Sequence, residues 1–231
     1  MTERMAIVAG WDDTRAALAR WNRAPARVIA SWAAVSAGVS LVMLAATWAL
    51  AVHVGYNFGL RSPENFSHRP SLGAAAAIFR HNLLTLALHA LICVAGYLAT
   101  ASVPLAAESY TGWARRMHLA IGPLALLFVS CSALSSLALQ AWTLGHVAPQ
   151  VAHAYRMPVG ELLVLLSPHA LPELTALFLP LGAWIVLARA GRWNELFAAS
   201  IVTTGVALPV LAMASLVEIY VTPLVLGGVG S

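Results

Sequence analysis

Long apolar runs constrain the fold of this chain more than any other feature. The clearest runs cover about residues 29–53, 82–103, 118–143, 174–188 and 197–221. A helix needs about 20 apolar residues to cross a bilayer, and most of these runs reach that length. Only 10% of the residues are charged, whereas a soluble domain carries about a quarter. The sequence therefore predicts an all-α, polytopic membrane helix bundle.

The charge pattern divides the chain into three segments. Residues 1–28 are predicted to be a cytoplasmic amphipathic leader, residues 29–225 a single transmembrane helical domain, and residues 226–231 a short tail. In the leader, Trp11 and Trp21 recur at helical spacing, while arginines occupy other faces. This pattern predicts an interfacial helix that lies on the membrane surface, with its tryptophans at the headgroup level.

Two prolines, a histidine and a carboxylate interrupt the apolar sequence near residue 170. Ser167 could cap a helix that has Pro168 at its first position, and Pro172 conflicts with a continuous helix. We therefore expect a broken or re-entrant helix around residues 159–173, with Glu173 near a helix N-terminus. A bilayer tolerates such a break only where protein or a water cavity covers the loosened backbone.

The distribution of arginines predicts the orientation in the membrane. If the broken segment crosses once, nine arginines fall on the cytoplasmic side and four on the other, from a total of 13 basic residues. This arrangement predicts about five spans and a cytoplasmic N-terminus. If the half-helix before the break spans by itself, the count becomes six, which the arginine bias disfavours.

Local patterns predict several boundaries of these elements. Asn82 is expected to open the second span, and residues 74–79 are expected to form a short interfacial helix. A polar connection is expected over residues 55–80 and a short one over residues 145–158. Pro180 is expected to kink the span that follows the break.

The candidate site consists of polar groups and prolines embedded in apolar sequence. They are Pro168, His169, Pro172, Glu173, Glu218, Thr222, Pro223 and Asn82. Ionisable groups are costly at membrane depth, so they are candidates for function. His169, Glu173 and Glu218 are expected to meet in space, either as a substrate or proton site or as a polar lock between helices. Glu218 could instead lie at the headgroup level.

Composition and motifs exclude several classes of function. With a net charge of +4 and few basic residues outside the loops, nucleic-acid binding has no support. The sequence contains no Gly-x-Ser-x-Gly, His-Glu-x-x-His or Walker motif. Cys93 and Cys131 form no CxxC pair and are expected to be buried bystanders. We therefore expect no catalytic residue, cofactor or metal. The weaker alternative is an intramembrane enzyme in which His169 and Glu173 form an acid–base pair.

Three of these features resemble the stage II sporulation protein M family of bacterial membrane proteins. Residues 168–173 (PHALPE) resemble the family's Pro-His-Gly-x-x-Glu element, and Glu218 before the Thr-Pro at 222–223 resembles the end of its last helix. Asn82 matches the asparagine at its second span, so the resemblance covers about residues 78–225. The chain departs from the family at Ala170, where the family has glycine. It departs again at residues 140–145 (QAWTLG), which occupy the position of the family's Asn-Gly-x-x-x-Gly signature.

The resemblance implies a function without catalysis. It implies an integral membrane scaffold that recruits or organises partner proteins at the bacterial cell membrane. The alternative is a membrane subunit of a transporter or exporter with an intramembrane His/Glu site, as His169 and Glu173 allow. The partners expected are membrane lipids, other membrane or cell-envelope proteins, an ATPase, and a second copy of the chain.

Overall fold

The computed structural model describes residues 6–57 and 70–229. These residues form helices and contain no strand: α1 Ala6–Trp21, α2 Pro25–Asn57, α3 Leu72–Tyr97, α4 Val103–Ala107, α5 Gly112–Ala154, α6 Val159–Leu177, α7 Leu179–Arg189, α8 Leu196–Tyr220 and α9 Thr222–Val229. A π-helical turn joins α3 to α4, and a 3-10 turn precedes α8. The predicted all-α bundle is confirmed.

Four helices in the described ranges are long and apolar enough to cross a membrane. They are Pro25–His53, Leu72–Thr100, Gly112–Ala154 and Trp193–Tyr220. Helices α6 and α7 pass the same test together and are bent by 50° at their junction. The chain therefore has four membrane-length helices, or five if the bent pair is one span, as expected for a multi-pass membrane protein.

The predicted broken helix is confirmed as the bent pair of α6 and α7, but its break lies at Phe178, after the predicted residues 159–173. Helix α6 runs without interruption through Pro168 and Pro172. Ser167 is inside the helix and is not an N-cap. Its hydroxyl donates to the Val164 carbonyl at 2.7 Å, which replaces the N–H that Pro168 lacks. The helix thus tolerates the proline because a neighbouring side chain supplies the missing donor.

The bend itself is covered by two neighbouring helices. Pro180 lies at the start of α7, where its missing N–H costs least, so a bend near Pro180 is confirmed. The Ser36 hydroxyl of α2 donates to the Thr175 carbonyl at 2.6 Å. The Cys93 thiol of α3 donates to the Pro180 carbonyl at 3.2 Å. Protein groups therefore satisfy the loosened backbone, as an apolar environment requires.

Helix α2 packs against α5, α6 and α7. Its buried side chains recur every three or four residues and include Trp32, Ser36, Ser40, Met43 and Thr47. Glycines on the facing helices allow close approach. A Cβ at Gly182 would lie 2.5 Å from the Trp32 carbonyl oxygen, and one at Gly145 would lie 2.6 Å from the Leu50 Cβ. Gly145 therefore keeps a close contact in the motif that departs from the family pattern.

Helix α1 is confirmed as a helix, but one of its tryptophans packs inside the protein. Thr14, Ala17 and Trp21 are buried, while Trp11 is exposed. The Trp21 ring packs edge-to-face on Trp32 with 5.0 Å between ring centroids. This face of α1 therefore packs on the bundle, and Trp21 contacts protein and not the membrane surface.

Several predicted boundaries also differ from the structure. Residues 74–79 and Asn82 lie inside α3, whose N-cap is Ser71, so neither the interfacial helix nor the cap at Asn82 is present. Helix α5 continues to Ala154 and shortens the predicted connection at 145–158. Residues 226–229 belong to α9. The predicted leader, the 55–80 connection and the tail fall partly on residues 1–5, 58–69 and 230–231, outside the described residues.

The two cysteines lie in different surroundings. Cys93 is buried, as predicted, whereas Cys131 is exposed on α5, so the prediction of burial is wrong for that residue. Both are free thiols. Cys131 lies on an exposed face of α5, although Ala133 two residues later is buried, and an apolar run alone does not distinguish the two faces.

Candidate functional site

A side-chain hydrogen bond between α3 and α6 forms the centre of the candidate site. The Asn82 amide donates to the Glu173 carboxyl group. Asn82 is only 7% exposed, so this polar pair is largely removed from solvent. The bond satisfies one buried donor and one acceptor that would otherwise be costly inside an apolar bundle.

A second carboxyl group approaches the same point from α8. Glu218 interacts electrostatically with Glu173, and α8 packs against both α3 and α6. In the part of the chain that the structure describes, Glu195 is the acidic partner in both ion pairs, with Arg20 and Arg192. Glu173 and Glu218 are therefore within electrostatic range of each other, and neither forms an ion pair with a basic side chain in that part of the chain.

Both carboxyl groups also lie close to helix C-termini. Helix α6 ends at Leu177, four residues after Glu173, and α8 ends at Tyr220, two residues after Glu218. Since Glu173 was expected near a helix N-terminus, that prediction is wrong. Helices α7 and α9 follow these ends directly, and the amides of Phe178 and Val221 continue the helical hydrogen bonding to the Leu174 and Val217 carbonyls, so neither end is a free helix terminus.

An open groove lies beside the acidic pair, between α6, α8 and α9. Its volume is about 680 Å³. Its walls are largely apolar and include Pro168, Pro172, Met213, Val217 and Leu226. Glu173 and Glu218 are the next residues in the chain after Pro172 and Val217. The groove and the acidic pair are thus built from the same turns of α6 and α8.

The polar groups of the groove are few. His169 lines it, together with Thr222. The His169 ring forms no hydrogen bond with another residue that the structure describes. Pro172 provides no N–H to the Pro168 carbonyl four residues earlier, so that acceptor has no donor from its own helix. The groove therefore combines apolar walls with a histidine and a backbone acceptor.

The structure brings together most of the predicted site residues. Asn82 binds Glu173, and Glu218 is close enough to Glu173 to interact with it electrostatically. His169 lies on the groove face, one helical turn before Glu173, and takes no part in the Asn82 bond. Pro223 is exposed at the start of α9 and does not line the groove.

Sequence reasoning missed an ionic cluster at the other end of the bundle. Glu195 is 1% exposed, and its carboxyl group binds the guanidinium groups of Arg20 and Arg192. The Nε of Arg192 is 2.7 Å from Glu195 Oε1. The cluster joins α1 to the turn between α7 and α8. The signal available in the sequence was an arginine three residues before a glutamate, in the loop between two apolar runs.

A buried histidine was also missed. His89 of α3 is fully buried, and its Nδ1 is 2.8 Å from the Thr85 carbonyl oxygen. Its ring packs edge-to-face on Phe178, the residue at the bend, with 5.2 Å between ring centroids. His89 therefore contacts the junction of α6 and α7, although nothing in its local sequence indicates this.

Comparison with family models, curated proteins and solved structures finds no match for this chain. The resemblance to the stage II sporulation protein M family therefore rests on the motifs alone and stays a prediction.

Proposed function

We propose that this chain is the membrane-embedded subunit of a transporter or exporter, and that Glu173 and Glu218 bind a proton or another cation inside the bundle. The observation that carries the proposal is the electrostatic interaction of two carboxyl groups from separate helices, neither of which forms an ion pair with a basic side chain among the described residues. Like charges in apolar surroundings destabilise a fold. A purely structural contact would need only the amide of Asn82 and one acceptor.

Protonation of this pair would alter the contact between α6 and α8. When both carboxyl groups are ionised they repel each other, and one proton shared between them removes that repulsion. The 50° bend after α6 gives the helix a point about which it can tilt relative to α7. A proton bound by Glu173 and Glu218 would therefore favour one position of α6 over another.

This chain would not hydrolyse ATP to drive transport. The sequence has no Walker motif, so the energy source would be the proton gradient itself or an ATPase partner. We place the chain in the bacterial inner membrane with its N-terminus in the cytoplasm. The cluster of Arg20, Arg192 and Glu195 would then lie at the cytoplasmic end, as the arginine bias favours.

Proton uptake by the purified chain tests this proposal. The chain in detergent is moved from alkaline to acidic pH, and the protons that it takes up are counted with a pH indicator dye. We expect Glu173→Gln and Glu218→Gln each to take up fewer protons than the wild type. Glu161→Gln, an exposed residue at the start of α6, is the control for an ordinary carboxyl group. If Glu173→Gln and Glu218→Gln lose the same number of protons over the same pH range as Glu161→Gln, the pair has no special role.

A non-enzymatic membrane scaffold is the second candidate, and the direct bond between Asn82 and Glu173 favours it. That bond fixes α3 against α6, and a scaffold needs a rigid bundle to present its partner surfaces. Under this alternative, Glu173→Gln keeps a hydrogen bond and would leave partner recruitment intact in a pull-down from native membranes. If Glu173→Gln still recruits partners fully but the chain no longer functions in the cell, the transporter is favoured over the scaffold.

A further inference from the structure

We propose that the groove between α6, α8 and α9 binds a lipophilic cation, a molecule with an apolar body and one positive charge. This inference rests on the proposed function and names the class of substrate for the same site. The groove is the feature that binds, and the acidic pair beside it selects the charge of the ligand.

The size and walls of the groove suit a compact apolar body. Its volume of about 680 Å³ falls in the range of about 300–1,000 Å³ that is common for small-molecule sites. Val164, Met213 and Val225 form part of the wall. Methionine is flexible and polarisable, so Met213 can adapt to ligands of different shape.

The charges around the groove favour a cation over an anion of the same shape. Glu173 and Glu218 do not line the groove themselves, but each directly follows a residue that does, so both carboxyl groups belong to helical turns that form its wall. The residues that line the groove include no arginine. An anion in the groove would lie near these carboxyl groups, with His169 as the one basic side chain in the lining, whereas a cation would balance their charge.

The groove opens toward the surface that faces the bilayer. Val164 and Met213 line it and are exposed in the structure, Met213 to 60%. On membrane-length helices, such apolar exposure faces lipid. A lipophilic cation partitions into the bilayer and would enter from that side. Binding of one such cation next to Glu173 and Glu218 would release the proton that the pair otherwise shares, so charge stays balanced.

Binding of tetraphenylphosphonium to the full chain in lipid nanodiscs tests the inference. Tetraphenylborate is the matched probe, because it has the same shape and the opposite charge. We expect tetraphenylphosphonium to bind at least about tenfold more tightly, a difference of about 1.4 kcal/mol. Its affinity should fall as the pH is lowered, and its binding should release protons to an indicator dye. Equal affinity for the two ions, or no binding of tetraphenylphosphonium at any pH, would overturn the inference.

Two tryptophan variants locate the site. Met213→Trp places a larger side chain at the mouth of the groove without changing either carboxyl group, and we expect it to lower tetraphenylphosphonium affinity at least about tenfold. Leu127→Trp on α5 is the control, because Leu127 is also 60% exposed and does not line the groove. Equal affinities in the two variants would show that the cation binds elsewhere.

The two experiments test the substrate class and the proposed function separately. If Glu173→Gln lowers proton uptake but tetraphenylphosphonium does not bind the wild type, the inference about the groove fails and the proton site stands. If Glu173→Gln leaves proton uptake unchanged, the proposed function fails, and this inference fails with it.

Discussion

Asn82 of α3 donates its side-chain amide to the carboxyl group of Glu173 on α6, which lies 91 residues later in the chain. This bond gives Glu173 a partner inside the bundle but leaves it beside the second carboxyl group of Glu218. The site is therefore satisfied in hydrogen bonding and unbalanced in charge. Substitutions at Asn82 and Glu173 separate these two properties.

Removal of the Asn82 amide should destabilise the bundle. Asn82→Ala leaves the Glu173 carboxyl group without its donor, at a cost of about 1–3 kcal/mol in the free energy of unfolding. The measurement is unfolding in mixed micelles with increasing denaturing detergent. His81→Ala, at the exposed neighbouring position, should leave the transition unchanged. Equal stability of both variants would show that the Asn82 bond contributes nothing.

Substitutions at Glu173 should differ in their effect on stability. Glu173→Gln can still accept from Asn82 and no longer repels Glu218, so its free energy of unfolding should match or exceed that of the wild type at neutral pH. Glu173→Ala loses the acceptor and should cost about 1–3 kcal/mol. The same unfolding assay compares them. Equal destabilisation by both variants would contradict the account of a bonded but charge-strained carboxyl group.

The close contact between α2 and α7 should not tolerate a side chain at Gly182. A Cβ there would lie 2.5 Å from the Trp32 carbonyl oxygen, so Gly182→Ala must push the helices apart, at about 1–3 kcal/mol. Gly205 is the matched control, since a Cβ there meets no atom within 4 Å. Gly205→Ala should be neutral or stabilising, because alanine favours helix. A stable Gly182→Ala variant would show that the two helices pack less closely.

The ionic cluster should hold α1 on the bundle. Glu195→Ala removes the carboxyl group that binds Arg20 and Arg192, and residues 6–21 should then exchange their amide hydrogens faster. Hydrogen exchange followed by mass spectrometry measures this, with Glu161→Ala on the exposed start of α6 as the control. Unchanged protection of α1 would mean that the contact of Trp21 with Trp32 is sufficient.

The sequence predicted the membrane bundle because apolar runs of spanning length have few other solutions. It misplaced the break because local rules treat Pro168 and Pro172 as helix breakers, whereas Ser167 supplies a donor inside the helix. The bend at Phe178 depends on donors from α2 and α3, and no local pattern reveals which residues of other helices lie nearby.

The candidate site was also predictable only in part. Embedded carboxyl groups are conspicuous in apolar sequence, so Glu173 and Glu218 could be identified without a structure. The use of Asn82 as a hydrogen-bond partner was not, because its position suggested a helix cap. Glu195 was missed because its burial arises only when α1 packs on the turn before α8.

Infrared difference spectroscopy of the purified chain across a pH titration tests the central claim most directly, because protonated carboxyl groups have a distinct absorption band. The account predicts a band that disappears in Glu173→Gln, shifts in Glu218→Gln and changes when tetraphenylphosphonium binds. The account would be contradicted by a spectrum in which neither substitution alters any carboxyl band, since Glu173 and Glu218 would then hold no proton between them.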